Sequence, residues 1–375
     1  MKETNHRLLF NNSQNMHQLK DESINLIVTS PPYPMIEMWD NLFSNQNTKI
    51  EKLLKETNGK EAFELMHREL DQVWTECYRI LKNGSFLCIN IGDATRKIGD
   101  DFRLYSNHFR ILQSCHQIGF DILPVILWRK QTNAPNKFMG SGMLPAGAYV
   151  TLEHEYILIL RKGSKREFKD KVDKEIRQES AFFWEERNNW FSDIWDFKGI
   201  KQQLTNGKTR NRSAAYPFEL AYRLINMYSV KGDTILDPFL GTGTTTIASI
   251  ASERNSIGFD IDSHFREEIL TSVQSACQVI NQYIKERLEK HLKFVRKYQS
   301  EKKLLKYENE LYKFPVMTKQ EVNLKLNYVK ELSLKQGNTI TALYSDKEFQ
   351  EIFSSINFTG YKSNSNIPKQ MELVI

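Results

Sequence analysis

Ser23-Ile24-Asn25-Leu26-Ile27-Val28-Thr29-Ser30-Pro31-Pro32-Tyr33 is the stretch from which the rest of the chain is read. Its first half is apolar and rich in β-branched residues, the composition of a buried strand. Its second half cannot stay in a sheet, because proline has no N–H and holds the residue before it extended. The chain therefore leaves the strand's carboxyl end as a stiff loop. That loop carries a hydroxyl on Ser30, the carbonyls of Pro31 and Pro32, and the ring of Tyr33. Open α/β sheets bind ligands at this edge.

One chemistry that suits such a loop is the activation of an exocyclic amine on a nucleobase. The amine's lone pair is delocalised into the ring, so it is a poor nucleophile. Two acceptors aimed at its hydrogens pull the nitrogen toward a tetrahedral shape. Ser30 Oγ and the Pro31 carbonyl could supply them. The ring of Tyr33 could stack on the base, a contact worth ~1–3 kcal/mol in single-strand binders. The plainer alternative is a strand followed by a Pro-Pro turn.

The 375-residue chain is long enough for one large α/β domain and a smaller one. It has no apolar run long enough for a membrane span and no signal-peptide core at Met1-Lys2-Glu3-Thr4-Asn5-His6, so a cytoplasmic setting is expected. The four cysteines (Cys77, Cys88, Cys115 and Cys277) form no C-x-x-C pair, so neither a metal site nor a disulfide frame is expected. The formal charge of +6 is modest, and its distribution matters more than its size.

Apolar residues from Phe63 to Leu81 recur at helical spacing, with Gly84 expected as the left-handed cap. Ser85 to Ile91 reads as a second buried strand ending in Gly92-Asp93. A helix over 105–119 follows, then a strand from Ile122 to Trp128 in which Pro124 marks an edge or a bulge. Residues 129–147 form a long aperiodic loop leading to a strand opened by His154-Glu155-Tyr156. This last segment is expected to be pocket wall. Between 161 and 212 basic residues outnumber acidic ones and seven Phe and Trp side chains are interleaved, from Phe182 to Phe197. Most of these rings are expected in the core, leaving Lys198, Lys208, Arg210 and Arg212 as candidate DNA contacts. Over 284–306, nine basic residues face three acidic ones along a helical pattern.

Thr234-Ile235-Leu236 is a short strand, followed by Asp237-Pro238-Phe239-Leu240-Gly241-Thr242-Gly243-Thr244-Thr245-Thr246 and a helix. Glycines let backbone approach a ligand, and the free N–H groups of the helix start favour a carboxylate or phosphate. No Gly-Lys-Ser/Thr follows, so this is not a P-loop. Asp260 ends the next strand about 20 positions on, where an acidic residue suits a ribose diol, with Asp262 as the spare. A nucleoside-bearing cofactor follows; on physics alone a dinucleotide and S-adenosylmethionine are both open.

Ser-Pro-Pro-Tyr after a strand resembles the catalytic loop of the DNA amino-methyltransferases, which act on cytosine N4 or adenine N6. Asp237-Pro238-Phe239-x-Gly241-x-Gly243-Thr244-Thr245 is similar to their S-adenosyl-L-methionine loop. The order, catalytic loop first, resembles the group called beta, and the resemblance covers roughly residues 20–270. Arg79-Ile80-Leu81-Lys82-Asn83-Gly84-Ser85 and Ile91-Gly92-Asp93 also match, with Ser85 replacing one Gly. Tyr216-Pro217-Phe218-Glu219-Leu220 resembles the helix start against the cofactor's methionine end.

The resemblance implies a doubly wound, mostly parallel Rossmann-like α/β sheet. Ser30, Pro31, Pro32 and Tyr33 would be catalytic. Thr29, Pro217, Asp237, Phe239, Gly241, Gly243, Thr244 and Asp260 would hold S-adenosyl-L-methionine. Residues 1–275 would be the catalytic domain, containing a target-recognition insert at 164–212, and 276–375 a basic helical and mixed extension. The substrate would be a flipped base in double-stranded DNA, and a restriction endonuclease acting on the same site is the family's common setting. Ser at the first loop position points to cytosine N4; the adenine enzymes usually carry Asp or Asn. Carbon-5 methylation needs a Pro-Cys pair, which is absent. Adenine-N6 methylation, an RNA or protein-amide substrate, and a catalytically silent DNA-binding module are the competing readings.

Overall fold

One mixed sheet of eleven strands runs through the computed structural model, in which residues 3–130, 139–140, 143–199, 216–301 and 303–356 are described. In chain order the strands are β1 (Glu3–Leu9), β2 (Ile24–Thr29), β3 (Leu81–Ile91), β4 (Phe120–Ile122), β5 (Ile126–Arg129), β6 (His154–Lys162), β7 (Ile194–Asp196), β8 (Thr234–Asp237), β9 (Asn255–Phe259), β10 (Tyr328–Lys335) and β11 (Thr339–Ser345). Across the sheet they lie β7-β5-β6-β3-β2-β8-β9-β1-β11-β10, and β4 pairs with β6. The central run from β3 to β1 is parallel. Antiparallel strands flank it on both sides.

Helices cover both faces. Along β6, Ile157 and Ile159 enter the core beneath helices α3 (Phe218–Tyr228), α4 (Thr244–Ala251) and α5 (Cys277–Ser300), while Leu158 and Leu160 enter the core beneath α1 (Gly59–Ile80) and α2 (Asn107–Ile118). Successive strand residues point to opposite faces, so a strand buried on both sides has to be a continuous apolar run. This is a doubly wound α/β fold.

Two local outcomes differ from the expectations above, and one strand was not anticipated. Gly84 is left-handed (φ +81°), but α1 stops at Ile80 and Gly84 sits inside the irregular start of β3. A Cβ there would lie 2.6 Å from the Arg166 backbone nitrogen, so close chain approach demands the glycine. Pro124 splits the expected strand into β4 and β5, since it cannot donate to the ladder. The first strand, β1, has no apolar alternation because its buried face is Thr4, His6 and Leu8.

Phe183, Trp190 and Trp195 are buried in the core, whereas Trp184 and Phe191 are exposed. Beyond residue 276, α5 buries Ile284, Leu288 and Leu292, and β10 and β11 lengthen the main sheet beside β1. Among the described residues no helix is long and apolar enough to cross a membrane.

Candidate active site

β2 and β8 are neighbours, and the chain leaves them in opposite directions, toward β3 and toward β9. Such a reversal opens a crevice at the strands' carboxyl ends. The two loops singled out in the sequence both start there. Thr29 closes β2 and Asp237 closes β8. Asp237 is buried and accepts from Thr29 Oγ1 (2.6 Å), Thr245 Oγ1 (2.5 Å), the Phe239 N–H (3.0 Å) and Tyr216 Oη (3.2 Å). Burial pushes its carboxyl above the ordinary value, against these donors.

A cavity of about 210 Å³ opens above this junction. Its lining brings Ser30, Pro31 and Pro32 together with Phe239, Gly241, Thr244 and Asp260. Gly241 is left-handed (φ +53°), and a Cβ on it would meet nothing nearer than the Phe239 carbonyl at 4.0 Å. The backbone is thus open to whatever enters. Gly243 (φ +84°) is the N-cap of α4 and is constrained from behind, where a Cβ would lie 3.0 Å from Ile269. The Asp260 carboxylate accepts from the N–H groups of Gly241 and Asp262, both at 2.9 Å. Burial raises its pKa to about 6.

Thr29, Asp237, Gly243 and Pro217 do not line the cavity, though each adjoins a residue that does. Pro217 caps α3 and brings its neighbour Tyr216 into the lining. Lys198 is exposed and outside the lining. Lys208, Arg210 and Arg212 lie outside the described residues.

Tyr33 is placed differently from a free stacking ring. Its hydroxyl points into the protein, where it donates to Glu155 Oε2 (3.0 Å), accepts from Asn90 Nδ2 (3.0 Å), and meets Ser30 Oγ at 3.2 Å. Burial, then the Glu155 charge, raise its pKa, so the phenol stays protonated. Asn90 also donates to Glu155 (2.7 Å), and Lys130 Nζ bonds the other carboxylate oxygen. Gly92 makes room for this cluster, because a Cβ there would lie 3.0 Å from the Tyr33 ring and 3.3 Å from Glu155.

Sequence reading missed Glu155 and Asn90 as partners of the first loop. It also missed the Asn12-Ser13-Gln14 turn after β1, which completes the cavity wall. The available signal was the charge of Glu155 at the mouth of an apolar strand, where an acid is buried only with partners.

The chain belongs to the DNA methylase family, whose model matches residues 24–272. It is 51% identical over 345 residues to the Type II methyltransferase M.MthZI of Methanothermobacter thermautotrophicus, covering 92% of this chain and 96% of that one. It is 51% identical over 274 residues to the Type II methyltransferase M.MjaI of Methanocaldococcus jannaschii, covering 70% and 89%. A solved structure of TTHA0409 from Thermus thermophilus, proposed to be a DNA modification methylase and complexed with S-adenosyl-L-methionine, superposes with a TM-score of 0.56 at 29% identity. It covers 72% of this chain and 93% of that one.

Proposed function

We propose that this chain transfers a methyl group from S-adenosyl-L-methionine to the N4 amine of a cytosine in duplex DNA, as the methylase of a restriction–modification pair. The observation that carries the reading is that Ser30 and Pro31 share one cavity with Gly241 and Asp260. An acceptor pair for an amine and a cradle for a nucleoside thus face the same space.

The residues fit the cofactor. Gly241 leaves its backbone approachable, Asp260 keeps lone pairs for a ribose diol, and the α4 N-terminus favours a carboxylate. When bound, S-adenosyl-L-methionine supplies an electrophilic sulfonium methyl. Ser30 Oγ and the Pro31 carbonyl accept from the amine, freeing its lone pair for in-line attack. The N–C bond forms as the S–C bond breaks, and the amine sheds one proton to water. Much of the rate then comes from holding two reactants in line. The cytosine has to be flipped from the stack to reach this depth.

Nucleoside mass spectrometry of DNA from a host expressing the chain tests this. 4-Methylcytosine is expected. 6-Methyladenine would overturn the choice of base, and no methylated amine in DNA, with transfer to RNA or protein in parallel assays, would overturn the substrate.

A further inference from the structure

The hydrogen bonds around Tyr33 fix the direction in which protons point. A tyrosine has one proton to give, a serine one, an ionised carboxylate none, and an amide NH₂ two. Glu155 is buried and accepts the hydrogen bond that the Tyr33 O–H donates. Asn90 has to present its NH₂, because it faces two oxygens, one of them the carboxylate; its own Oδ1 finds no partner among the described residues. The Tyr33 oxygen, its proton spent, can meet Ser30 only as an acceptor at 3.2 Å.

We infer that Glu155 is a positioning residue that makes Ser30 an acceptor. By accepting the Tyr33 O–H it leaves Ser30 to donate its own O–H inward, so both lone pairs of Ser30 Oγ remain for the cavity. Lys130 and Asn90 bond the carboxylate and hold it in place. The inference rests on the reading that the substrate is an amine, and it holds for either base. An amine presents hydrogens, so a serine free to turn its own hydrogen outward would repel it. Leaving the buried Asn90 oxygen without a partner is unfavourable. A purely structural cluster would gain nothing from that cost.

The test uses the full-length protein and the variants Glu155→Gln, Tyr33→Phe and their double. Single-turnover transfer from labelled S-adenosyl-L-methionine to unmethylated phage DNA is measured, with cofactor affinity by calorimetry. Glutamine has one acceptor where Glu155 serves Lys130, Asn90 and Tyr33, so the proton order fails. Glu155→Gln should slow transfer roughly tenfold or more, from the strength of a charge-assisted hydrogen bond, with cofactor affinity unchanged. In the Tyr33→Phe background the same change should cost less than about threefold, because the relay is already cut. An equal cost in both backgrounds, or no cost in either, overturns the inference. Should Glu155→Gln fail to fold, Glu155→Asp is put through the same cycle with the same two outcomes. A wild type that transfers nothing to DNA would overturn the functional reading itself, which sets that failure apart.

Discussion

Thr29 Oγ1 donates a hydrogen bond to Asp237 Oδ1 at 2.6 Å although the two residues are 208 positions apart. This bond ties the root of the Ser-Pro-Pro-Tyr loop to the root of the glycine loop. Both partners are buried, so the bond is shielded from competing water. Thr29→Val keeps the shape and removes the donor, leaving a buried carboxylate with one bond fewer. The expected loss is about 1–3 kcal/mol of stability, read from the denaturant midpoint, together with a slower transfer step. An unchanged midpoint would show that the bond contributes nothing net.

Ser30→Ala removes one of the two acceptors offered to the amine and leaves the far wall untouched. Transfer should fall by roughly tenfold or more while the cofactor still binds with near-normal affinity. Tyr33→Ala should behave in the same way and cost stability too, since the ring is packed beside Gly92. Parallel loss of cofactor binding in Ser30→Ala would move that residue to the other side of the chemistry.

Gly241→Val places a branched side chain on a residue at φ +53°, pointing into the open cavity. The backbone strain should cost about 1–2 kcal/mol of stability. The larger effect is on cofactor affinity, which should drop at least tenfold, or about 1.4 kcal/mol. Calorimetry giving wild-type affinity would refute the assignment of this loop.

Asp260 has a folded pKa of about 6, above the ordinary carboxylate value of 3.8, because it is buried. The native state therefore holds this proton more tightly than the unfolded chain. Its ionisation costs stability as pH rises from about 4 to about 6, and above that the cost is fully present. Asp260→Asn carries no such charge. Relative to the wild type it should gain stability over that window, by at most about 3 kcal/mol for the two pH units, offset by the hydrogen bond to Gly241 or Asp262 that the amide cannot accept. Cofactor affinity should fall in the same variant. Melting curves of both proteins between pH 4 and 8, giving parallel pH profiles, would contradict the buried charge.

The parts of the fold readable in the chain are those where one physical preference acts without competition. Ile24 to Val28 could only be a buried strand, and Pro31-Pro32 could only end it. The turn from Asp237 to Thr246 announced a ligand loop through its glycines, and the acid at the end of β9 followed at the expected spacing. Where two preferences competed, the reading slipped. Gly84 looked like a helix cap and instead lets two chain segments touch, which sequence spacing does not show. β1 was invisible because His6 and Thr4, bonded to Ser256 and Tyr344, occupy positions where apolar residues would have given a period of two. Burial holds His6 neutral, with its pKa lowered to about 3, so the pairing works only inside the finished core.

Strands β2, β3, β6, β8 and β9 and the two loops were legible in the chain, since these follow from local rules of proline, glycine and apolar runs. That the loops share one cavity, that Tyr33 turns its hydroxyl inward, and that Glu155 and Asn90 meet it there emerges from long-range packing alone. The reason is that a hydrogen bond between residues far apart in the chain leaves no periodicity behind. Its partners become adjacent only when the parallel strands fix β2 beside β8 and β3 beside β6.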